Sequence, residues 1–174
     1  MERDVVQFVN HWIYRHKLLR VNYTTYDLRR QQDSINPSSH PDIMLLSPDP
    51  NDDHPYWYAR VIGVFHVDVT HAAPAQISTE IQRIRIDFLW VRWLQFDNSF
   101  EGGWKTCRLH CLEFMDARGP GAFGFLDPSI IIRGVHLIPG FAHNRTLKFL
   151  PLRTSVARMP LNEDEDWWFY YIGM

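Results

Sequence analysis

The strongest pattern in the chain is a regular alternation of apolar and polar positions near its middle. Every second residue from Trp57 to Val69 is apolar, whereas Arg60 and Asp68 lie on the opposite face. Period-two alternation of this length is typical of a β-strand with one buried face. A second long strand is predicted over residues 83–94, where both faces become apolar, as in a strand that is covered on both sides.

Shorter apolar or β-branched segments predict further strands between turns rich in glycine, proline and asparagine. They are expected at residues 20–26, 43–46, 106–114, 129–138 and 166–172. Only the N-terminus has helical spacing. The residues that would share one helical face are Val5, Val9, Trp12, Ile13, His16 and Leu19. We therefore predict an amphipathic helix over residues 2–19.

Together these elements predict a mainly β fold, either a small barrel or a strongly curved sheet, with an N-terminal amphipathic helix and arm. We expect residues 1–53 to form an arm of helix and strands that packs on the barrel. Residues 54–174 are then expected to form the β-barrel-like domain itself.

Composition supports β structure and excludes several protein classes. The 174 residues include 7 Trp, 7 Tyr and 11 Phe, and aromatic residues are enriched in strands. The formal net charge is −2, so the chain as a whole lacks a basic footprint for nucleic acid. No secretory signal is readable, and no apolar stretch has the roughly 20 residues that a membrane span needs. We expect an intracellular protein, nuclear or cytoplasmic and not secreted, without a membrane partner.

One local concentration of basic and aromatic residues stands out against this neutral background. It contains Arg15, Lys17, Arg20, Tyr23, Tyr26, Arg29 and Arg30. Such a set could follow a phosphate backbone and stack exposed bases, which makes DNA a candidate partner. The alternative is a solvated helix end.

A second candidate site is aromatic. Tyr56 and Tyr58 lie opposite the inferred core face of the first long strand, and Trp93 ends the second. Aromatic rings that surround a methylated lysine bind its cation through cation–π attraction, which makes a histone tail a candidate partner. Packing in the core is the favoured interpretation for Trp57 and Trp90.

Catalytic chemistry has weaker support, so we predict no catalytic residues, metal or cofactor. His66, Asp68 and His71 could form a metal site of a β-barrel enzyme, although a polar strand face explains them as well. The acidic residues at 49–53 are expected in a turn, and those at 163–166 in a solvated loop. Cys107 and Cys111 are expected to be core-facing thiols.

Several longer words resemble the C-terminal region of Plavaka-type proteins, which belong to the CACTA-like DNA transposons of basidiomycete fungi. They are VNYTTYDLRR (21–30), QDSINP (32–37), HPYWYARV (54–61), DFLWVRW (87–93), FGFLDP (123–128), VHLIP (135–139) and DWWFYY (166–171). The strand pattern is also similar to bromo-adjacent-homology (BAH) and SH3-like barrels, as a likeness of fold alone.

The resemblance implies a non-catalytic binding module of a transposon-derived protein, which contacts nucleic acid, chromatin or a transposase catalytic region. Transposases of this family are longer chains whose catalytic part precedes the matching segment, so the resemblance assigns no catalytic residue here. Two alternatives stay open: a metal-dependent enzyme, and an inactive fragment of a mobile element.

Overall fold

Two long antiparallel strands, β5 (Tyr56–Ala72) and β6 (Gln82–Phe96), form the centre of the fold. The computed structural model describes residues 5–72, 82–100, 102–103, 106–151, 155–158 and 165–173. The strands that precede this pair are β1 (Val5–His16), β2 (Leu19–Thr24), β3 (Arg30–Ile35) and β4 (Asp42–Leu46). Those that follow are β7 (Cys111–Phe114), β8 (Phe123–Leu126), β9 (Ile131–Gly134), β10 (His136–Pro139), β11 (Arg145–Thr146), β12 (Asp166–Trp167) and β13 (Tyr170–Gly173).

Nine of these strands form one antiparallel sheet in the order β10-β13-β7-β6-β5-β4-β9, with β1 and β8 as branches. The branches arise because β5 and β6 are long enough to hold two partners each. β5 pairs with β4 at its start and with β1 from Val64 onward, while β6 pairs first with β8 and then with β7. Over the described residues the path ends at β9 and β10 without closing. The mainly β class is confirmed, and a closed barrel is not formed.

Apolar side chains are buried on both faces of the central strands. One core cluster includes Ile43, Val61 and Leu89, and a second core includes Leu112 and Tyr170. The β5–β6 register shifts between Val61 and Gly63. Because one extra residue reverses the side-chain alternation, both halves of β5 contribute to these cores. The alternation read from sequence is therefore interrupted by a bulge.

The predicted N-terminal helix is wrong. Residues 5–16 form β1, which pairs antiparallel with β5 from Val5↔Ala72 to His16↔Val64, with an irregularity between Phe8 and Ile13. β1 contains four β-branched and three aromatic residues among its 12, a composition that favours strands. The part of the β5 edge that β4 leaves unpaired can form backbone hydrogen bonds with residues 5–16. An isolated helix of this length, in contrast, is marginal without tertiary support.

The rest of the expected arm packs on the central sheet. β2 and β3 form a hairpin with Val21 paired to Asp33, and buried Val21 and Ile35 join the core cluster that contains Val61. The described helices are two 3₁₀ turns of three residues each, at Pro128–Ile130 and Phe141–His143. Among the described residues, therefore, no helix has the length or apolarity to cross a bilayer.

Charged side chains form a buried cluster beside the second core. Arg60 makes a two-pronged bond to Asp42, with N···O distances of 2.7 and 3.0 Å. Arg92 lies 2.9 Å from Asp166, and its guanidinium is 3.8 Å from the centre of the Phe114 ring. Burial disfavours the charged form of the Arg60 guanidinium. Its interactions, with Asp42 foremost, favour the charged form more strongly and raise the pKa of Arg60. For Arg92 burial prevails and lowers the pKa.

This cluster corrects the solvated acidic loop expected at residues 163–166. Asp166 is only 1% exposed and contacts both Arg92 and Arg158. Glu165 is half-buried, and residues 163 and 164 lie outside the described part of the chain. A carboxylate can be buried when a cation is paired with it. The cations here come from segments that are distant in the sequence, so the residues around Asp166 do not predict its burial.

Candidate functional site: an acidic aromatic pocket

A cavity of about 790 Å³ lies at the end of the central hairpin, where β5 begins and β6 ends. Its walls come from the strand ends, from the loop before β5 and from the loop after β6. The loop before β5 is a turn because the Ser47 hydroxyl donates to the backbone carbonyl of Asp49 and accepts from its backbone N–H, as short polar residues among prolines do. The pocket therefore combines a rigid sheet edge with two loops.

Two tryptophans form the aromatic part of one wall. Ala59 pairs with Trp93, so Trp57, two residues before Ala59, projects from the same face of the sheet beside Trp93. The rings are 5.5 Å apart at 82°, the edge-to-face arrangement that aromatic quadrupoles prefer. Trp57 is 38% exposed, and its Nε1–H donates to Asp52 at 2.8 Å, which fixes the ring at the pocket surface.

Carboxylates supply the formal charge of the pocket. Asp52, Asp53, Asp97 and Glu113 all line it, and the described lining residues include neither lysine nor arginine. Hydrogen bonds from Ser47 and from Trp57 lower the pKa of Asp52, so this group is ionised at neutral pH. Glu113 pairs with Gln95 across β6 and β7 and accepts its amide N–H at 2.8 Å, on the same sheet face as the two tryptophans.

The opposite sheet face contributes neutral rings. His54 stacks on Phe96 with centroids 3.5 Å apart, and Tyr58 meets Phe96 edge-on. Burial, followed by the charge of nearby His110, lowers the pKa of His54. Burial also raises the pKa of Tyr58 to about 12. Both groups are uncharged at neutral pH, so they do not offset the carboxylates.

All three residues of the predicted aromatic site line this cavity, in a different arrangement from that expected. Tyr56 and Tyr58 lie on one sheet face and Trp93 on the other. Tyr58 is only 5% exposed and belongs to the second core. The neighbour of Trp93 is Trp57, for which core packing was favoured. The missed signal is an Asp–Asp pair that precedes three consecutive aromatic residues with only His54 and Pro55 between them.

The predicted nucleic-acid set is placed at two ends of the β2–β3 hairpin. Arg15, Lys17 and Arg20 lie around the β1–β2 turn and are exposed, whereas Arg29 and Arg30 lie at the far turn. Arg29 forms an ion pair with Asp27 at 2.9 Å. Arg30 pairs with Thr24, four strand positions from Arg20, which is about 13 Å.

The tyrosines of that set differ in how available their rings are. Tyr26 is fully exposed. Tyr23 donates its hydroxyl to Gln31 at 2.9 Å, and the guanidinium of Arg133 lies 4.7 Å from its ring centre. A base stacking on that face of Tyr23 would have to displace Arg133.

The described side chains that were candidates for metal or nucleophilic chemistry have surroundings that do not favour it. Asp68 is paired with Arg83, and the side chain of His71 lies outside the described part of the structure. Cys111 is buried, and burial raises its pKa to about 11, so its thiol is a poor nucleophile at neutral pH. Cys107 is exposed, which corrects its expected core position.

Comparisons of the chain with protein-family models, with curated proteins and with solved structures find no match.

Proposed function

We propose that the chain is a non-catalytic binding module whose pocket takes the cationic side chain of a basic peptide. The supporting observation is the pair of perpendicular tryptophans, Trp57 and Trp93, which line the pocket beside ionised Asp52 and beside the side chain of Glu113. An ammonium group at a tryptophan face gains about 0.5–1 kcal/mol when exposed and roughly 2 when desolvated. The carboxylates add Coulomb attraction to any part of the peptide that bears lysine or arginine.

Lysine, with or without methyl groups, suits this wall best. A methylated ammonium keeps its charge but loses hydrogen-bond donors, so it suits aromatic faces, whereas the unmethylated form gains more from the carboxylates. The same negative wall disfavours a phosphate backbone. The proposed ligand class is therefore a lysine-rich peptide such as a histone tail, in keeping with the resemblance to transposon proteins that act on chromatin-packed DNA.

Peptide titrations followed by fluorescence anisotropy would test the proposal. The probes are lysine-rich peptides of one sequence with a central lysine that is unmodified, trimethylated or acetylated, and an acidic peptide of equal length. We expect binding of the first two, weaker binding of the acetylated peptide because its central charge is removed, and none of the acidic peptide. Equal affinity for all four would refute a cation pocket.

Substitutions in the pocket should locate the site. Trp57→Ala and Trp93→Ala each remove one ring and should weaken binding by about 5- to 30-fold, the equivalent of about 1–2 kcal/mol. Trp12→Ala is the matched control, because Trp12 is 63% exposed and lies on β1 away from the pocket lining. If Trp12→Ala weakens binding as much as Trp57→Ala, the peptide binds elsewhere.

A duplex DNA titration separates this function from the nucleic-acid prediction. Binding through Arg15, Lys17, Arg20, Arg29 and Arg30 would weaken steeply with salt because counterions are released. It would be insensitive to Trp57→Ala. DNA binding that survives Trp57→Ala while peptide binding is absent would favour the basic hairpin over the pocket.

A further inference from the structure

A second constellation lies on the far half of the central hairpin, away from the peptide pocket. His16 on β1, His66 on β5 and Asp87 on β6 place one ligand atom each within 4.8 Å of one another. The registers explain the convergence: Tyr14 pairs with His66, and His66 pairs with Asp87. His16, two residues after Tyr14, therefore projects from the same face. Three adjacent strands each supply one donor.

The two imidazoles already face each other through their ring nitrogens. His16 Nε2 and His66 Nδ1 are 2.6 Å apart, and both side chains are half-buried. Tyr14 stacks on His66 with centroids 4.6 Å apart at 9°, so the His66 ring is held between Tyr14 and His16. Two nitrogens bound tetrahedrally to one Zn²⁺ at 2.0–2.1 Å would be about 3.3 Å apart. Rotation of the half-buried His16 ring away from His66 would be needed to reach this spacing.

Asp87 supplies the third donor and has a supporting partner. Arg85 donates to Asp87 Oδ1 from Nη2 at 2.6 Å and from Nε at 3.0 Å, and to Oδ2 from Nε at 3.2 Å. The Arg85 side chain is half exposed. A carboxylate has about four lone-pair positions, so Asp87 can accept Arg85 and bind a cation at once. Ligating carboxylates commonly have such an outer hydrogen-bond donor, which orients them.

We propose that His16, His66 and Asp87 form a binding site for a divalent transition metal, with Zn²⁺ as the best fit. Two imidazoles and one carboxylate match the ligand preference of zinc, whereas Mg²⁺ and Ca²⁺ prefer sets of oxygen ligands. Three protein ligands leave a fourth tetrahedral position for water or another ligand. This set shares only His66 with the His66–Asp68–His71 site considered from sequence.

Bound metal would join β1 to the central hairpin. β1 pairs with β5 along one edge and is interrupted between Phe8 and Ile13. A cation held by β1, β5 and β6 links all three strands at the β1 end that leads to β2. Metal binding that requires folded strands raises the melting temperature with metal concentration.

Zinc titration of the chelator-treated full chain, in competition with a chromophoric chelator, tests the site. We expect one equivalent of Zn²⁺, a rise in Tm, and no competition from excess Mg²⁺. His66→Ala should weaken Zn²⁺ binding by at least about 100-fold, since losing even an outer-shell partner costs roughly 10- to 100-fold. Co²⁺ bound at the same site should show the visible d–d absorption of a tetrahedral centre, and His66→Ala should abolish it.

Two further variants keep the test decisive. His136→Ala removes an exposed histidine from β10 and should bind Zn²⁺ as the wild type does. Asp87→Asn preserves side-chain shape and should weaken binding about 10-fold or more, so it serves if His66→Ala fails to fold. Unchanged affinity in both His66→Ala and Asp87→Asn, or an equal loss in His136→Ala, would overturn the proposal.

Discussion

Trp57 shows how a single side chain changes its role with its surroundings. Alternation along β5 places it on the same face as Ala59 and Val61, which are buried. Trp57, however, is the second residue of the strand, where the neighbouring loop covers the side chain only in part. The bond from its indole N–H to Asp52 satisfies its donor at the surface. Period-two patterning predicts on which face of the strand a residue lies, but not how far the core extends along that strand.

His54 gives the peptide pocket a predictable pH dependence. Its pKa is lowered, chiefly by burial, so it stays neutral through the ordinary histidine range near pH 6.5 and gains a proton only below it. A positive charge in the wall would then repel the bound ammonium, while Asp52, with its lowered pKa, stays ionised. We expect constant peptide affinity from about pH 8 to 6.5 and a loss of about fivefold, or 1 kcal/mol, at lower pH.

The variant His54→Gln should remove this step, because glutamine does not titrate. Dissociation constants measured across the same pH series in both proteins provide the check. A step of equal size in His54→Gln would assign the pH dependence to another group.

At the scale of elements, sequence pattern located most strands and failed where pairing overrides local preference. β4, β5 and β6 lie within a few residues of the predicted segments, since long alternation and turn residues mark them directly. β3 (Arg30–Ile35) lies between two predicted strands, in a segment for which the sequence predicts none. Its sequence, RQQDSI, has little strand preference, and it is a strand because it pairs with β2. The pocket depends on register and loop position, so Tyr56, Tyr58 and Trp93 could be named in advance but neither Trp57 nor the acidic wall.

β1 could be misread as a helix because its irregularity spaces apolar residues at intervals other than two. Asn10 and His11 both have positive φ, at 57° and 55°, and they sit between Phe8 and Ile13, which pair with Val69 and Val67. This kink allows both halves of β1 to follow the β5 edge. Asparagine tolerates left-handed backbone, whereas β-branched residues do not.

Asn10→Val should therefore loosen β1, at a cost of about 1–2 kcal/mol for the left-handed conformation. Amide hydrogen exchange of the paired residues Ile13 to His16 reports this local opening better than global unfolding does. Asn10→Gly is the matched variant and should protect these amides as well as the wild type does. Equal protection in Asn10→Val would show that the left-handed turn is absent.

At the scale of the whole molecule, the buried ionic cluster connects segments that are far apart in sequence. Asp166 begins β12, next to the C-terminal strand β13, and its partner Arg92 lies in the middle of β6. Tyr170 of β13 lies in the second core and also meets Arg60, whose guanidinium is 5.0 Å from its ring centre. Charge and apolar packing thus connect the C-terminal strands to the central strands that carry the pocket.

Asp166→Asn should destabilise the protein strongly. Breaking a buried ion pair by neutralising one partner costs about 3–5 kcal/mol, because the remaining charge is left in a low-dielectric interior. Here Arg92 is 0% exposed, and its guanidinium would retain the Phe114 ring but lose its carboxylate. Urea unfolding monitored by tryptophan fluorescence would measure the loss as a lower midpoint at unchanged slope.

Arg83→Ala is the control for this experiment, because it breaks an ion pair of the same type at the surface. The Arg83 side chain is 58% exposed and its partner Asp68 is 14% exposed, and exposed pairs contribute at most about 1 kcal/mol. A triple variant, Arg92→Met, Arg158→Met and Asp166→Leu, removes both buried partners of Asp166 together with it. It should recover much of the stability that Asp166→Asn loses, since apolar replacement of a buried ion pair or triad is often neutral. If Asp166→Asn costs no more than Arg83→Ala, the cluster is hydrated in solution and does not anchor the C-terminal strands.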